Sequence, residues 1–112
     1  MKPLYLLAAS ACLGTGAWMP AAAADDTAQL ELGKKLFTQL AVPACALCHT
    51  LKDAGTEGAV GPVLDELQPD ATRVATALRN GIGQMPSYKT SLSEAQIQAI
   101  SSYVAKASGA TK

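Results

Sequence analysis

The stretch ACALCHT, Ala44 to Thr50, sets two thiols, Cys45 and Cys48, three positions apart, with the imidazole of His49 directly after the second. Three chemistries use such a group: reversible disulfide exchange, chelation of a metal ion, and covalent capture of a prosthetic group. What accompanies the stretch in the rest of the chain decides among them.

Toward the N-terminus the chain opens MKPLYLLAASACLGTGAWMPAAAADD, with Lys2, an apolar stretch from Leu4 to Trp18, and small residues ending at Ala22-Ala23-Ala24 before Asp25 and Asp26. This is the order of a secretory signal; cleavage is expected after Ala24, making residues 1–24 a signal peptide and residues 25–112 the mature domain. A membrane anchor fits less well, because the stretch is short of the ~20 apolar residues that cross hydrocarbon and Gly14, Gly16 and Pro20 interrupt it. Lipoprotein processing at Cys12 is an alternative, although Ala9, three places before it, is small where a larger apolar residue is usual. Export places the mature chain in the periplasm with no stable membrane span.

Removing 24 of 112 residues leaves 88, enough for one domain. Lys2 departs with the leader, so 8 of the 9 basic residues remain against 9 acidic ones, a net charge of about −1. A basic stripe is missing, which excludes nucleic acid as a partner class. Met1, Cys12, Trp18 and Met19 depart as well, leaving one His, one Met and two Cys. A chain of this size buries only about 60–65% of its unfolded surface, and its aromatics for a core are Phe37, Tyr88 and Tyr103. A buried macrocycle would supply the missing apolar volume, and two covalent bonds to it would restrict the unfolded chain as cross-links do.

Helical patterning dominates. Asp26 with Gln29 forms a candidate capping box, followed by Leu30, Gly33, Phe37 and Leu40 on one face, with a stop before Pro43. Asp70 caps a helix carrying Val74 and Leu78 that stops at Asn80-Gly81. Ser93 with Gln96 opens the last helix, Leu92 staples onto Ile97, and Ile97, Ile100, Tyr103, Val104 and Ala107 form its stripe up to Gly109. KDAGTEGAVGP, Lys52 to Pro62, reads as a Gly-rich loop without strand alternation. The prediction is an all-α domain of three main helices with a shorter one around Cys45 to Leu51, no strands and no internal repeat.

Structural zinc normally takes four Cys or His ligands, and the mature chain offers Cys45, Cys48 and His49, the last two adjacent and awkward to chelate one ion. Thioredoxin-like exchange suits an exported protein but expects a βαβ frame and an exposed first cysteine at a helix N-terminus. C-x-x-C-H as a c-type haem attachment site has each of its parts present. One helical turn places both thiols along one porphyrin edge, with His49 beneath the ring. A sixth ligand then has one candidate: Met85, in NGIGQMPSY, lies among glycines and before Pro86, a loop signal rather than a core stripe. His with Met is a known axial pair.

With these residues in place, the mature chain resembles the class I cytochromes c over essentially its whole length. The matching residues are Gly33 and Phe37, CALCH, GPVL from Gly61 to Leu64, GQMP from Gly83 to Pro86, and Tyr103. The resemblance implies a cytochrome c-like small helical domain wrapped around one covalently attached haem c. It also implies that Gly33 lets the first helix approach Tyr103 in the last, and that the Pro62 carbonyl accepts a hydrogen bond from His49. More narrowly, PACALCHTLKDAGTEGAVGPVLDEL and RNGIGQMPSY are similar to the cytochrome c subunit of bacterial sulfite dehydrogenases, which implies a molybdenum subunit as redox partner.

An iron held by His49 and Met85 has no open position for substrate, so the expected function is single-electron transfer rather than catalysis. The alternatives are a free periplasmic shuttle to a terminal oxidase, or a haem-based sensor in which Met85 dissociates. Leu36, Leu64, Val74, Leu78 and Ile82 are expected to shield the haem, and Arg73, Arg79 or Tyr88 to meet a propionate. Electrons are expected to leave near Ala46 and Leu47, flanked by Pro43 and Pro86, across an apolar patch with Lys34, Lys35, Lys52 and Lys89 at most on its rim.

Overall fold

A computed structural model describes residues 14–16 and 21–111. Most of the expected leader, including Cys12, lies outside the described residues, and no described helix is long and apolar enough to cross a membrane. Four helices follow in order: α1, Ala21–Lys35; α2, Leu64–Leu67; α3, Ala71–Asn80; and α4, Glu94–Ala107. A single wide π turn, Leu36–Leu40, extends α1, and a 3-10 turn spans Cys45–Leu47. Two-residue strands β1, Thr50–Leu51, and β2, Thr56–Glu57, pair antiparallel.

α1 starts before the expected cap at Asp26, since the Ala21–Ala24 run has the strongest helix propensity of any residue type. Its apolar stripe also departs from the expected i, i+3, i+4 course at the end. Ala41 N–H donates to Leu36 O at 3.0 Å, an i→i−5 bond that widens the last turn. Leu36 and Phe37 are thereby both buried while Leu40 is half exposed.

α3 and α4 follow their sequence signals closely. The Asp70 side chain accepts from Arg73 N at 2.8 Å, and Gly81 ends the helix with φ +70°. Ser93 and Gln96 form a full capping box, at 3.1 Å from Gln96 N to Ser93 Oγ and 2.9 Å from Ser93 N to Gln96 Oε1. Leu92 and Ile97 both enter the core, and Gly109, φ +92°, follows the helix end.

The N- and C-terminal helices pack as the principal pair. Phe37 meets Tyr103 edge to face, with ring centroids 6.1 Å apart, a geometry worth about 0.5–1.5 kcal/mol beyond area burial. Gly33 makes this approach possible: a Cβ there would collide with the Ala99 carbonyl and sit 2.5 Å from Tyr103 Cβ. Tyr103 Oη donates to Asp53 at 2.6 Å, tying α4 to the β1–β2 turn.

The Gly33 contact is open to test. Gly33→Ala gains helix propensity of about 1 kcal/mol but must push the α4 backbone away, so a net loss of about 1–3 kcal/mol is expected. Thermal unfolding of the variant should show a midpoint several degrees lower; an unchanged or raised midpoint contradicts the packing.

Candidate functional site

A cavity of about 630 Å³ opens between α3, the 3-10 turn and the segment after Gly81. Its wall brings together Cys45, Cys48, His49, Pro62 and Met85, which lie as far as 40 residues apart in the chain. Leu64, Val74, Leu78 and Ile82 are in the wall as well, whereas Leu36, expected beside them, is buried in the core and outside the wall.

Pro43 precedes the turn that carries the thiols. Cys48 N and His49 N both donate to Cys45 O, at 3.1 and 3.0 Å, so Cys45 to His49 form one tight turn. Cys45 is buried and Cys48 half buried. Burial pushes the Cys45 thiol up to about 11, so it is neutral at pH 7. Disulfide exchange needs the opposite, an exposed first cysteine with its thiolate favoured. Among the described residues no three His, Cys, Asp or Glu side chains group as metal ligands.

His49 is fixed by the segment that the sequence suggests to be mere loop. Its Nδ1 lies 2.8 Å from Pro62 O, and because a carbonyl only accepts, Nδ1 carries the proton and Nε2 keeps its lone pair. The β hairpin steers this segment: Thr56 Oγ1 donates to His49 O at 2.9 Å and Thr50 Oγ1 to Gly58 O at 3.0 Å. Gly61 N donates to Cys48 O at 2.7 Å. Two glycines permit the approach, since a Cβ on Gly58 would lie 2.5 Å from His49 N and one on Gly61 2.5 Å from His49 Cε1. The expectation of no strands is thus corrected by a minimal hairpin. Its sequence signal was Thr50 and Thr56 flanking Gly55, whose φ is +67°, but two-residue strands are too short for alternation to show.

Met85 is half buried on a second tight turn. Ile82 N donates to Met85 O at 3.0 Å and Met85 N to Ile82 O at 2.9 Å, enclosing Gly83, φ +55°, and Gln84. A positive φ at the first central position alone is the type II′ pattern. Below it, a Cβ on Gly81 would come 2.8 Å from Met85 O. The segment is then anchored at Tyr88, whose N–H donates to Leu78 O at 2.7 Å and whose hydroxyl donates to Pro43 O at 2.6 Å. One side chain therefore ties the Met85 segment to the start of the cysteine turn.

The three groups expected near a propionate are separated by the structure. Arg79 forms a two-pronged pair with Glu94, Nε to Oε1 at 3.1 Å and Nη2 to Oε2 at 2.8 Å, and lies outside the wall. Tyr88 is in the wall with its hydroxyl engaged, and Arg73 is in the wall on α3. Lys34 pairs with Asp53 at 3.6 Å, away from the cavity.

The chain belongs to the c-type cytochromes, of class I: residues 28–104 match the family described as cytochrome C oxidase, cbb3-type, subunit III. It is similar in structure to the c-type cytochrome SorU from Sinorhizobium meliloti, with 49% identity and a TM-score of 0.72 over 74% of this chain and 94% of that one. No curated protein sequence gives a significant match. As a member of this family it carries covalently bound haem c and acts in electron transfer. The wall suits that group, having two thiols one turn apart, an imidazole with a free Nε2 lone pair and a largely apolar lining.

Tyr88 generates a pH-dependent prediction. Burial pushes its hydroxyl up to about 12, so the folded value exceeds the unfolded one of about 10. The resulting stability is complete below about pH 10 and is lost as pH rises toward 12. Tyr88→Phe should cost about 0.5–1.5 kcal/mol at pH 7 and flatten the decline measured by urea unfolding between pH 10 and 12. An equal decline in both proteins contradicts the assignment.

Proposed function

We propose that Cys45 and Cys48 bind the haem through thioethers, that His49 Nε2 and the Met85 thioether take the two axial positions of its iron, and that the mature chain, exported after cleavage following Ala24, carries single electrons in the periplasm. The observation that carries this reading is the shared wall: the one histidine and the one methionine of residues 25–112 border the same cavity as both cysteines.

The haem supplies one-electron exchange between ferric and ferrous iron. Pro62 holds the His49 ring by accepting from Nδ1, which fixes its orientation and leaves Nε2 to the iron, as partners behind a metal ligand do. The hydrogen-bonded turn at Ile82–Met85 and the Tyr88 anchor limit the movement of Met85. A thioether ligand favours the reduced state and raises the potential, and Leu64, Val74 and Leu78 exclude water, which acts in the same direction. With both axial positions filled by the chain there is no place for a substrate, which favours a carrier over a catalyst.

The partner proposed is a sulfite-oxidising molybdenum subunit that donates electrons to this chain. The similarity of Pro43–Leu67 and Arg79–Tyr88 to the haem subunits of sulfite dehydrogenases supports it. Leu47 is 68% exposed and Ile82 70% exposed, with Pro43 and Pro86 also at the surface. These residues favour an apolar contact at the cysteine-bearing edge.

Two experiments bear on the reading. Met85→Ala is expected to lower the reduction potential and to let carbon monoxide bind the reduced protein quickly; an unchanged potential would mean another ligand. Affinity purification of the tagged protein from periplasmic extract should retain a stoichiometric molybdenum-containing subunit. Its absence would favour the free shuttle.

A further inference from the structure

Among the described residues, three hydrogen bonds join residues 61–67 to the segment that runs from the cysteine turn through β1. Gly61 N donates to Cys48 O at 2.7 Å, His49 Nδ1 to Pro62 O at 2.8 Å, and Lys52 N to Asp65 Oδ2 at 2.9 Å. All three join residues 13 positions apart. The Pro62 segment therefore runs beside residues 48–52 as a short ladder whose middle rung is the imidazole bond.

The outer rungs ask different things of the sequence. The first is backbone to backbone and is open to any residue but proline at position 61. The last depends on one side chain, that of Asp65, the half-buried second residue of α2. An acidic side chain in a first helical turn ordinarily serves its own helix. Here the cap residue, Val63, offers no side-chain bond, and Asp65 reaches across to β1 instead. Among the described residues its carboxylate makes no ion pair, so the Lys52 N–H is what it holds. A bond from an amide to a carboxylate is roughly twice as strong as one between neutral groups. The Thr50 and Thr56 hydroxyls fasten β1 to β2 and Gly58, and stop short of Pro62.

We infer that Asp65 is a positioning residue for the axial imidazole: by gripping Lys52 N it keeps the Pro62 carbonyl on His49 Nδ1 and so fixes the plane of the ring. This rests on the axial role of His49 proposed above. With the Asp65 rung in place, the imidazole proton is released only when neighbouring rungs open together. Without it, the Pro62 segment is held on one side alone, by Gly61, and can lift away from the ring and admit water.

The test is hydrogen exchange of the His49 Nδ1 proton, followed by NMR in the reduced haem protein. The α4 amides from Ile97 to Tyr103, in the same sample, gauge global opening. Asp65→Ala is expected to speed Nδ1 exchange about ten-fold or more beyond any change at those amides. Asp65→Asn keeps a neutral acceptor and should give a smaller increase; if the alanine variant fails to accumulate, this increase alone carries the test and its absence overturns the proposal. Glu66→Ala removes the same charge from the exposed neighbour and should exchange as the native protein does. A native rate in Asp65→Ala, an acceleration no larger than that of the α4 amides, or an equal acceleration in Glu66→Ala overturns the assignment. The His49 ring protons of the native sample separate this from the axial reading. At ordinary histidine positions they overturn the axial reading; shifted upfield by the porphyrin ring current, with Nδ1 exchange unmoved in the Asp65 variants, they overturn the positioning role alone.

Discussion

The hydrogen bond between His49 Nδ1 and the Pro62 carbonyl, 2.8 Å long, is the constraint around which this small domain is organised. It sets the tautomer of the imidazole and the direction of its lone pair. To make it, the chain must double back within 13 residues of His49, which is why a hairpin, two close-approach glycines and two threonine hydroxyls crowd into residues 50–61. The loop is a retaining wall for one ring.

The same demand explains the distribution of the core. Buried side chains gather along α4 and the π turn that extends α1, where Phe37, Ile97, Ile100 and Tyr103 belong to one packed cluster. The half of the domain facing α3 is instead lined around an open volume of about 630 Å³. Few large residues are available to fill it, and its lining suits the haem of this family. The helix contact at Gly33 and the apolar lining of the cavity are thus two parts of one hydrophobic interior. Polar ties bridge them: Tyr103 to Asp53 links α4 with the hairpin, and Tyr88 to Pro43 links the Met85 turn with the cysteine turn.

Much of this was legible in the chain because its signals are local. Asp70 and Ser93 cap as their sequence contexts dictate, Gly81 and Gly109 end their helices, and the α4 stripe falls on the buried face. The candidate site residues stand out by scarcity, since residues 25–112 hold one histidine and one methionine, and the fold brings both into one wall with Cys45 and Cys48. The misses are nonlocal or too short for periodicity. Leu40 leaves the core because a π turn changes the helical phase, and α2 and the β hairpin span only four and two residues per element. The roles of Gly58 and Gly61 depend on a ring and a backbone that arrive from elsewhere in the chain. Arg73 and Arg79 look equivalent in sequence and become different when α4 places Glu94 beside only one of them.

The axial arrangement is the centre of the account, and proton NMR of the reduced haem protein with methyl-labelled methionine tests it most directly. With Met85 bound to the iron, its ε-methyl group lies over the porphyrin face, and the ring current must move that resonance far upfield of the ordinary methionine range. An assigned Met85 methyl resonance at an ordinary position, in a folded protein that retains its covalent haem, would contradict the account.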